Sequence, residues 1–437
     1  MLRPKSPISL QVELTDACNH HCTHCYNFWR TDDYWKFEKS DSSNLLRIAD
    51  KIIEAEVFHV VLSGGEPLVV PIATLEELVD KYKSGGVSVS FNSNITLVKS
   101  AHIEMFKKYG LSILTSVPSY NQEDFERITM KKGSFDSFVD SAKLISGNGV
   151  YLSSNMVVNK QTLNDVYTTG KFMASLGAKG FCATRMSPSN NGIITDYSST
   201  VLDRDDMVSM LDQLLAVHED FGLTVNSLNA IPYCFTDNPL KYSMILNRSC
   251  VAGLTSGGMS SKGDLRACQH FDISYGNVLD EPLQDIWSRM TVWKYEYLST
   301  GECKGCVEQQ RCGGGCRENA HKIGGDFNGK DSITGKPLTQ KVREDIIDCI
   351  DAIKLVPNIK VRDEDFGAVF FKQSNKYCLV DKFTSEAIKN LYSRNTITKK
   401  DMLEVGSDCG YVDSKYVDKV FSNLVNNGLA YKNMSGV

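Results

Sequence analysis

The sequence predicts an α/β protein in three parts: a partial (β/α)6 barrel, a cysteine-rich middle region and a small winged-helix-like domain. Three observations carry this. From residue 8 to about residue 230, apolar strands alternate with amphipathic helices, a rhythm that implies a parallel sheet with right-handed crossovers. From 231 to 351, Gly, Cys and short polar segments replace regular periodicity, so metal or cluster bonds would have to supply part of the fold. From 356 to 437 a hairpin, three helices and a closing strand follow.

In the first part, ISLQVEL is a strand that runs into a loop holding Cys18, Cys22 and Cys25. NLLRIADKIIEA has helical spacing, and HVVLSGGEP is an apolar strand ending in glycines. IATLEELVDKY is a helix, VSVSFNSN a strand, and SAHIEMFKKYG a helix closed by Gly110. SILTSVPS, YLSSNMVVN and FCATRMSP are the remaining strands, separated by the helices FDSFVDSAKLISGNG and DVYTTGKFMASLGAKG. The notable residues all fall at the C-terminal ends of strands, where α/β sheets and barrels place their chemistry. In the last part, GAVFF and KYCLVD read as a hairpin and FTSEAIKNLYS as a helix capped by Thr384 or Ser385. TITKKDMLEVG is a short helix, and DSKYVDKVFSNLVNNG carries the stripe Val417, Val420, Phe421, Leu424 and Val425, ended by Asn427-Gly428. LAYK closes the domain.

Composition narrows the function. The net charge is −5, so no broad basic field invites nucleic acid. No apolar run reaches membrane-spanning length, and MLRPKSPISLQ has no secretory h-region, so a cytoplasmic protein without a membrane is expected. Yet the chain has 14 Cys, and in a reducing compartment that count reads as metal or cluster ligation. Three stand at C-x3-C-x2-C near the start, and seven more fall between Cys250 and Cys349.

Three close thiolates are one short of a tetrahedral zinc site, and a partial zinc site is the plain alternative. Iron–sulfur clusters also use Cys thiolates, and three on a cube leave one iron open. The spacing, on a loop after the first strand with Tyr26 behind the last Cys, resembles the radical S-adenosylmethionine (SAM) superfamily. The resemblance implies a [4Fe–4S] cluster on Cys18, Cys22 and Cys25, chelation of SAM by the open iron, and reductive cleavage to a 5′-deoxyadenosyl radical that takes a hydrogen atom from substrate. It also implies a reductant such as flavodoxin or ferredoxin. Ser63, Gly64, Gly65, Glu66 and Pro67 resemble the family's second motif, which holds the SAM amino group. FNSNIT resembles its ribose-side segment, with Asn94 as the contact. Ser116 and Arg185 stand where relatives bind the SAM carboxylate or ribose. For these last three, a hydrogen-bonded strand-end residue is the alternative.

Cys250, Gly263 and Cys268 at C-x12-G-x4-C, then Cys303, Cys306, Cys312 and Cys316 at C-x2-C-x5-C-x3-C, then Cys349, match the seven-cysteine SPASM extension of such enzymes. YGNVLDEPLQDIW resembles the segment between its halves. The resemblance implies two auxiliary [4Fe–4S] clusters, an outer one on Cys303, Cys306, Cys312 and Cys349 and an inner one on Cys250, Cys268 and Cys316. The inner one needs a fourth ligand or keeps an open iron; Cys234 is the candidate, with a buried structural Cys as the alternative. Cys182, Cys378 and Cys409 read as core residues.

The last domain lacks a concentrated basic face: Lys399 and Lys400 stand near Asp401 and Glu404. It resembles the RiPP recognition element, a fold that binds the leader of a ribosomally made precursor peptide as an added strand. Together these resemblances imply a radical SAM/SPASM peptide maturase that cross-links its precursor through a thioether or a carbon–carbon bond; they assign no catalytic base. Two other readings are an anaerobic sulfatase-maturing enzyme and an Fe–S-sensing DNA-binding regulator. Gln269 and His270 after Cys268 depart from the acid expected in the first. GGEP and the missing basic helix disfavour the second.

Overall fold

Alternation in the strands decides which way the sheet faces. In the computed structural model, which describes residues 2–29, 42–187, 199–246, 248–290, 303–342, 349–373, 376–394, 396–407 and 412–433, strand β1 is Ser9–Glu13. Its Leu10 and Val12 are fully buried, while Gln11 between them lines a central cavity. β3 (Ser88–Ser93) and β5 (Tyr151–Val158) repeat the pattern: Val89, Leu152 and Met156 pack outward, while Ser90, Asn92, Ser153 and Asn155 face the cavity. Period two thus puts an apolar face under the helices and a polar face inside.

The other strands are β2 (His59–Ser63), β4 (Ser112–Ser116), β6 (Gly180–Arg185) and β7 (Thr224–Asn226). Helices α1 (Ser42–Glu54), α2 (Ile72–Ser84), α3 (Ser100–Tyr109), α4 (Gln122–Thr129), α5 (Ser134–Gly147), α6 (Val166–Ser175) and α7 (Arg204–Phe221) connect them. β1 to β7 are parallel neighbours in chain order, as the βα rhythm predicts. The structure adds α4, and it adds α7 with β7 as a seventh unit. α7 is capped by Asp203, which accepts the Asp206 N–H, and a three-residue strand such as β7 is too short to show a period.

The sheet does not stop near residue 230. β8 (Ser256–Met259) pairs parallel with β1, and β9 (Asp264–Arg266) and β10 (Ser274–Asn277) extend it antiparallel. One apolar core runs from Leu10 to Ile333, and Trp287 of α8 (Leu283–Ser288) is buried in it. The Cys-rich region therefore leans on the barrel for its apolar burial. Two short helices, α9 (Gln309–Cys312) and α10 (Arg317–Gly324), hold its second half.

A second core runs from Ile350 to Ala430. It begins with β11 (Ala352–Leu355), ahead of the expected start at 356. β12 (Lys360–Glu364), β13 (Gly367–Gln373) and β14 (Lys376–Asp381) form an antiparallel sheet with β14 at its edge. Helix α11 (Lys382–Leu391) is capped by Asp381, whose carboxylate accepts the Thr384 N–H. The expected caps, Thr384 and Ser385, lie one turn too late and are buried, because extended Asp381 at the strand end already offers its acceptor. β15 (Ile397–Thr398) precedes α12 (Lys399–Val405), so the start of TITKKDMLEVG is strand. α13 (Ser414–Asn426) and β16 (Ala430–Lys432) complete the unit.

This unit docks on the N-terminal edge of β1 and β2. Ile8, Phe58, Val369 and Phe371 form a joint apolar cluster, with Phe58 and Phe371 stacked at 4.8 Å. Arg362 is buried and donates to the carbonyls of Ser6 (2.7 Å), Pro7 (3.1 Å) and Glu56 (2.9 Å). Cys378 is buried in the second core and Cys182 is half-buried on β6; Cys409 lies outside the described residues. Among the described residues, no helix is long and apolar enough to cross a membrane.

Candidate active site

A cavity of about 1560 Å3 runs inside the sheet from the N-terminal ends of the parallel strands, at Ser9 and Ser112, to their C-terminal ends, at Ser63, Ser116 and Arg185. Of the residues singled out in the first part, Cys18, Cys22, Cys25, Tyr26, Ser63, Gly64, Gly65, Glu66, Asn94, Ser116 and Arg185 line it, and Pro67 does not. Cys250, Cys268 and Cys316 line the same cavity.

The glycine turn is shaped by the cysteine loop. Gly65 and Glu66 donate their N–H groups to the carbonyls of Thr15 and Ala17, both at 2.7 Å. A Cβ on Gly64, whose φ is +128°, would stand 2.4 Å from the Thr15 oxygen, and one on Gly65 would stand 2.2 Å from the Ala17 oxygen. Only glycine permits this approach, so the turn clamps the stretch that leads into Cys18. Asn27 donates to the Gly64 carbonyl at 3.2 Å and fastens the loop's far end.

Glu66 is 2 % exposed. It accepts from Leu68 N (3.0 Å), Ser93 Oγ (2.7 Å) and Asn94 N (2.7 Å), and burial pushes its carboxyl up to about 7 against those bonds. It holds β2 to the end of β3. Asn94 points its amide at Asn19 (2.8 Å) and lies 4.0 Å from Cys18 Sγ, so it touches the cysteine loop directly. Ser116 is exposed at the mouth of β4.

Arg185 has a partner that the sequence did not suggest. Its guanidinium forms a buried, two-pronged pair with Asp331 at 2.8 and 2.5 Å. Asp331 also accepts the Cys316 N–H at 2.8 Å. Arg185, expected near the SAM carboxylate or ribose, thus ties β6 to the Cys-rich region through this pair and also lines the cavity. Nothing in spacing or periodicity marks Asp331.

Tyr26 stacks on His270 with ring centroids 4.1 Å apart, and its hydroxyl accepts from Gln11 at 3.0 Å. Glu13 pairs with Arg266 in the buried wall between β1 and β9. These contacts join the first cysteine loop to the segment around Cys268. Glu318, 2 % exposed, lines the cavity near Cys268 and Cys316, and burial pushes it up to about 8.

The remaining cysteines separate. Cys303, Cys306 and Cys312 line a second, small pocket, and Cys234 joins them there rather than joining Cys250, Cys268 and Cys316 as expected. The run Cys312-Gly313-Gly314-Gly315-Cys316 allows this split. Its three glycines take φ of 64°, 74° and 86°, a left-handed stretch that other residues resist. It points Cys312 into one pocket and Cys316 into the other. Cys349 is exposed and lines neither.

A cysteine loop over the open ends of a parallel sheet, clamped by a glycine turn, defines a class. Residues 12–173 match the model of the Radical SAM superfamily, and this stretch is a radical SAM domain. The chain is similar to the antilisterial bacteriocin subtilosin biosynthesis protein AlbA of Bacillus subtilis (25% identical, 66% of this chain, 61% of that protein). It is also similar to the PqqA peptide cyclase of Gluconobacter oxydans (24% identical, 76% of this chain, 92% of that protein). Among solved structures it shares its fold with Streptococcus suis SuiB bound to S-adenosylmethionine (TM-score 0.61, 18% identical, 75% of this chain, 77% of that chain).

The family implies a [4Fe–4S] cluster and SAM, and the residues present fit both. Cys18, Cys22 and Cys25 offer three half-buried thiols on one loop beside a cavity with polar walls. That donor set suits iron–sulfur ligation with one position left open.

Proposed function

We propose that this radical SAM enzyme matures a ribosomally made precursor peptide, docking the leader on its C-terminal unit and cross-linking the core inside the cavity. One observation carries the reading: the same cavity is lined by the Cys18–Cys25 loop and by Tyr377, Cys378, Leu379, Asn423 and Asn426 of β14 and α13. Among the described residues β14 pairs only with β13, so its outer edge offers main-chain groups to an added strand. The unit would serve as a winged-helix-like RiPP recognition element. The two lysines at the start of α12 are matched by acids, Lys399 with Asp418 at 2.6 Å and Lys400 with Glu404 at 3.6 Å, which disfavours a DNA surface.

When bound, the cluster and SAM would supply a hydrogen-atom abstractor at Cys18, Cys22 and Cys25. Gly64, Gly65 and Glu66 shape that loop, and the strand interiors line the space for the core. Either bond, thioether or carbon–carbon, removes two hydrogens from the peptide. The middle region, 231 to 351, would carry two auxiliary clusters as a SPASM domain. A flavodoxin or ferredoxin in the cytoplasm would supply electrons.

Each short peptide encoded beside the gene is titrated calorimetrically into the full-length protein, followed by duplex DNA at physiological salt. One peptide should bind through its leader and, with SAM and reductant, lose two hydrogens by mass. Asn423→Ala with Asn426→Ala, both exposed, should weaken that binding and leave peptide-independent SAM cleavage intact. Tight DNA binding with no peptide bound would reject the reading.

A further inference from the structure

Four thiols surround the second pocket. Cys234 enters from a short turn at Tyr233–Phe235, whose flanking Tyr233 and Phe235 are buried in the main core. Cys303, Cys306 and Cys312 enter from the other side. Backbone N–H groups aim at the sulfurs: Tyr233 reaches Cys312 Sγ at 3.4 Å, Gly314 also reaches Cys312, and Gly335 reaches Cys234. Donors of this kind tune iron–sulfur clusters. Gly335 is fixed here by space, since a Cβ on it would stand 2.1 Å from the Cys234 carbonyl oxygen. Among the described residues no group of His, Cys, Asp or Glu closes tightly enough to hold a single metal ion; a cube of several irons draws its thiolates from a wider ring.

Cys349 has different surroundings. It is exposed, and the charge beside it is Lys399 of α12. The next residue, Ile350, donates its N–H to Asp418 of α13 at 3.3 Å. This stretch is committed to the C-terminal unit.

We infer that Cys234, and not Cys349, completes the ligand set of the outer cluster with Cys303, Cys306 and Cys312. This rests on the reading above that the middle region carries auxiliary clusters. It also leaves Cys250, Cys268 and Cys316 as a three-thiol site that borrows no further cysteine.

The test uses the full chain with Cys18→Ala, Cys22→Ala and Cys25→Ala, so that only auxiliary clusters remain. After anaerobic reconstitution, iron, sulfide and zinc are counted, and absorption and electron paramagnetic resonance spectra are recorded. This background should hold about eight irons. Adding Cys349→Ser should change neither count nor spectrum, and Cys182→Ser, a half-buried thiol elsewhere, should behave the same way. Adding Cys234→Ser should remove about four irons or change the spectrum of one cluster. Iron lost with Cys349→Ser and kept with Cys234→Ser would overturn the assignment while the auxiliary clusters stand. A background chain holding zinc, or no iron, would overturn the auxiliary-cluster reading and the assignment with it.

Discussion

Replacing Gly65 with Ala asks whether the glycine turn sets the position of the cysteine loop. The new Cβ would stand 2.2 Å from the Ala17 oxygen and 2.6 Å from both the Ala17 carbonyl carbon and the Asp16 oxygen. All three are backbone atoms, so no side chain can swing aside, and the loop must retreat by about 1 Å or more to reach ordinary contact. That retreat breaks the two 2.7 Å bonds from Gly65 and Glu66 to Thr15 and Ala17. Two hydrogen bonds at ~1 kcal/mol each, with an overpacking cost of about 1–3 kcal/mol, destabilise the fold by roughly 3–5 kcal/mol. Cys18 directly follows Ala17 and shares the displacement. A misplacement of about 1 Å costs on the order of 100-fold in rate. Gly65→Ala should therefore lower 5′-deoxyadenosine formation by about that factor, with a lower Tm and less iron bound. Gly147→Ala at the end of α5, where nothing lies within 4 Å of the added carbon, should be neutral or stabilising by up to ~1 kcal/mol. Wild-type turnover and iron content in Gly65→Ala would refute the reasoning.

Two further substitutions separate structural from ligand-binding roles. Arg185→Met and Asp331→Asn each strand a buried partner and should cost about 3–5 kcal/mol in chemical denaturation, with the KM for SAM nearly unchanged; a large rise in that KM at normal stability would return Arg185 to the SAM carboxylate. Arg362→Met leaves three carbonyls and one oxygen of the Glu364 carboxylate without the guanidinium donor, so limited proteolysis should release the C-terminal unit earlier while peptide-independent SAM cleavage persists.

Much of the barrel was legible because its signals are local. Period two in β3 and β5 and the Gly110 stop of α3 are written in adjacent residues. The cysteine loop was legible for the same reason, since its three thiols lie within one short segment. What escaped was long-range. Asp331 meets Arg185 across 146 positions, and His270 meets Tyr26 only because β9 is laid near β1 through β8. The company that Cys234 keeps with Cys303, Cys306 and Cys312 was hidden in the same way. The division of Cys312 from Cys316 was expected, and the left-handed glycine run between them accomplishes it. The structural role of Gly64 and Gly65 was hidden as well, because the atoms that would crowd a Cβ there belong to Thr15, Asp16 and Ala17, distant in sequence.

The docking of the C-terminal unit sets a length that a precursor must satisfy. β14 lies against the N-terminal edge of the sheet, beside Ile8 and Phe58, whereas the cysteine loop leaves the opposite end of β1. The strand between them, Ser9–Glu13, has 5 residues. At about 3.3 Å per residue it spans roughly 17 Å. A peptide held as a strand on β14 therefore needs about five extended residues between its docked segment and the residue that reaches Cys18, Cys22 and Cys25. Shortening that spacer below this length should abolish modification and leave calorimetric binding of the leader intact. Lengthening it with Gly and Ser should reduce modification only gradually, since each doubling of a flexible tether costs only about 0.6 kcal/mol. A precursor with its spacer deleted that is still modified at the normal rate would mean that the leader docks elsewhere, and the edge of β14 would lose its assigned role.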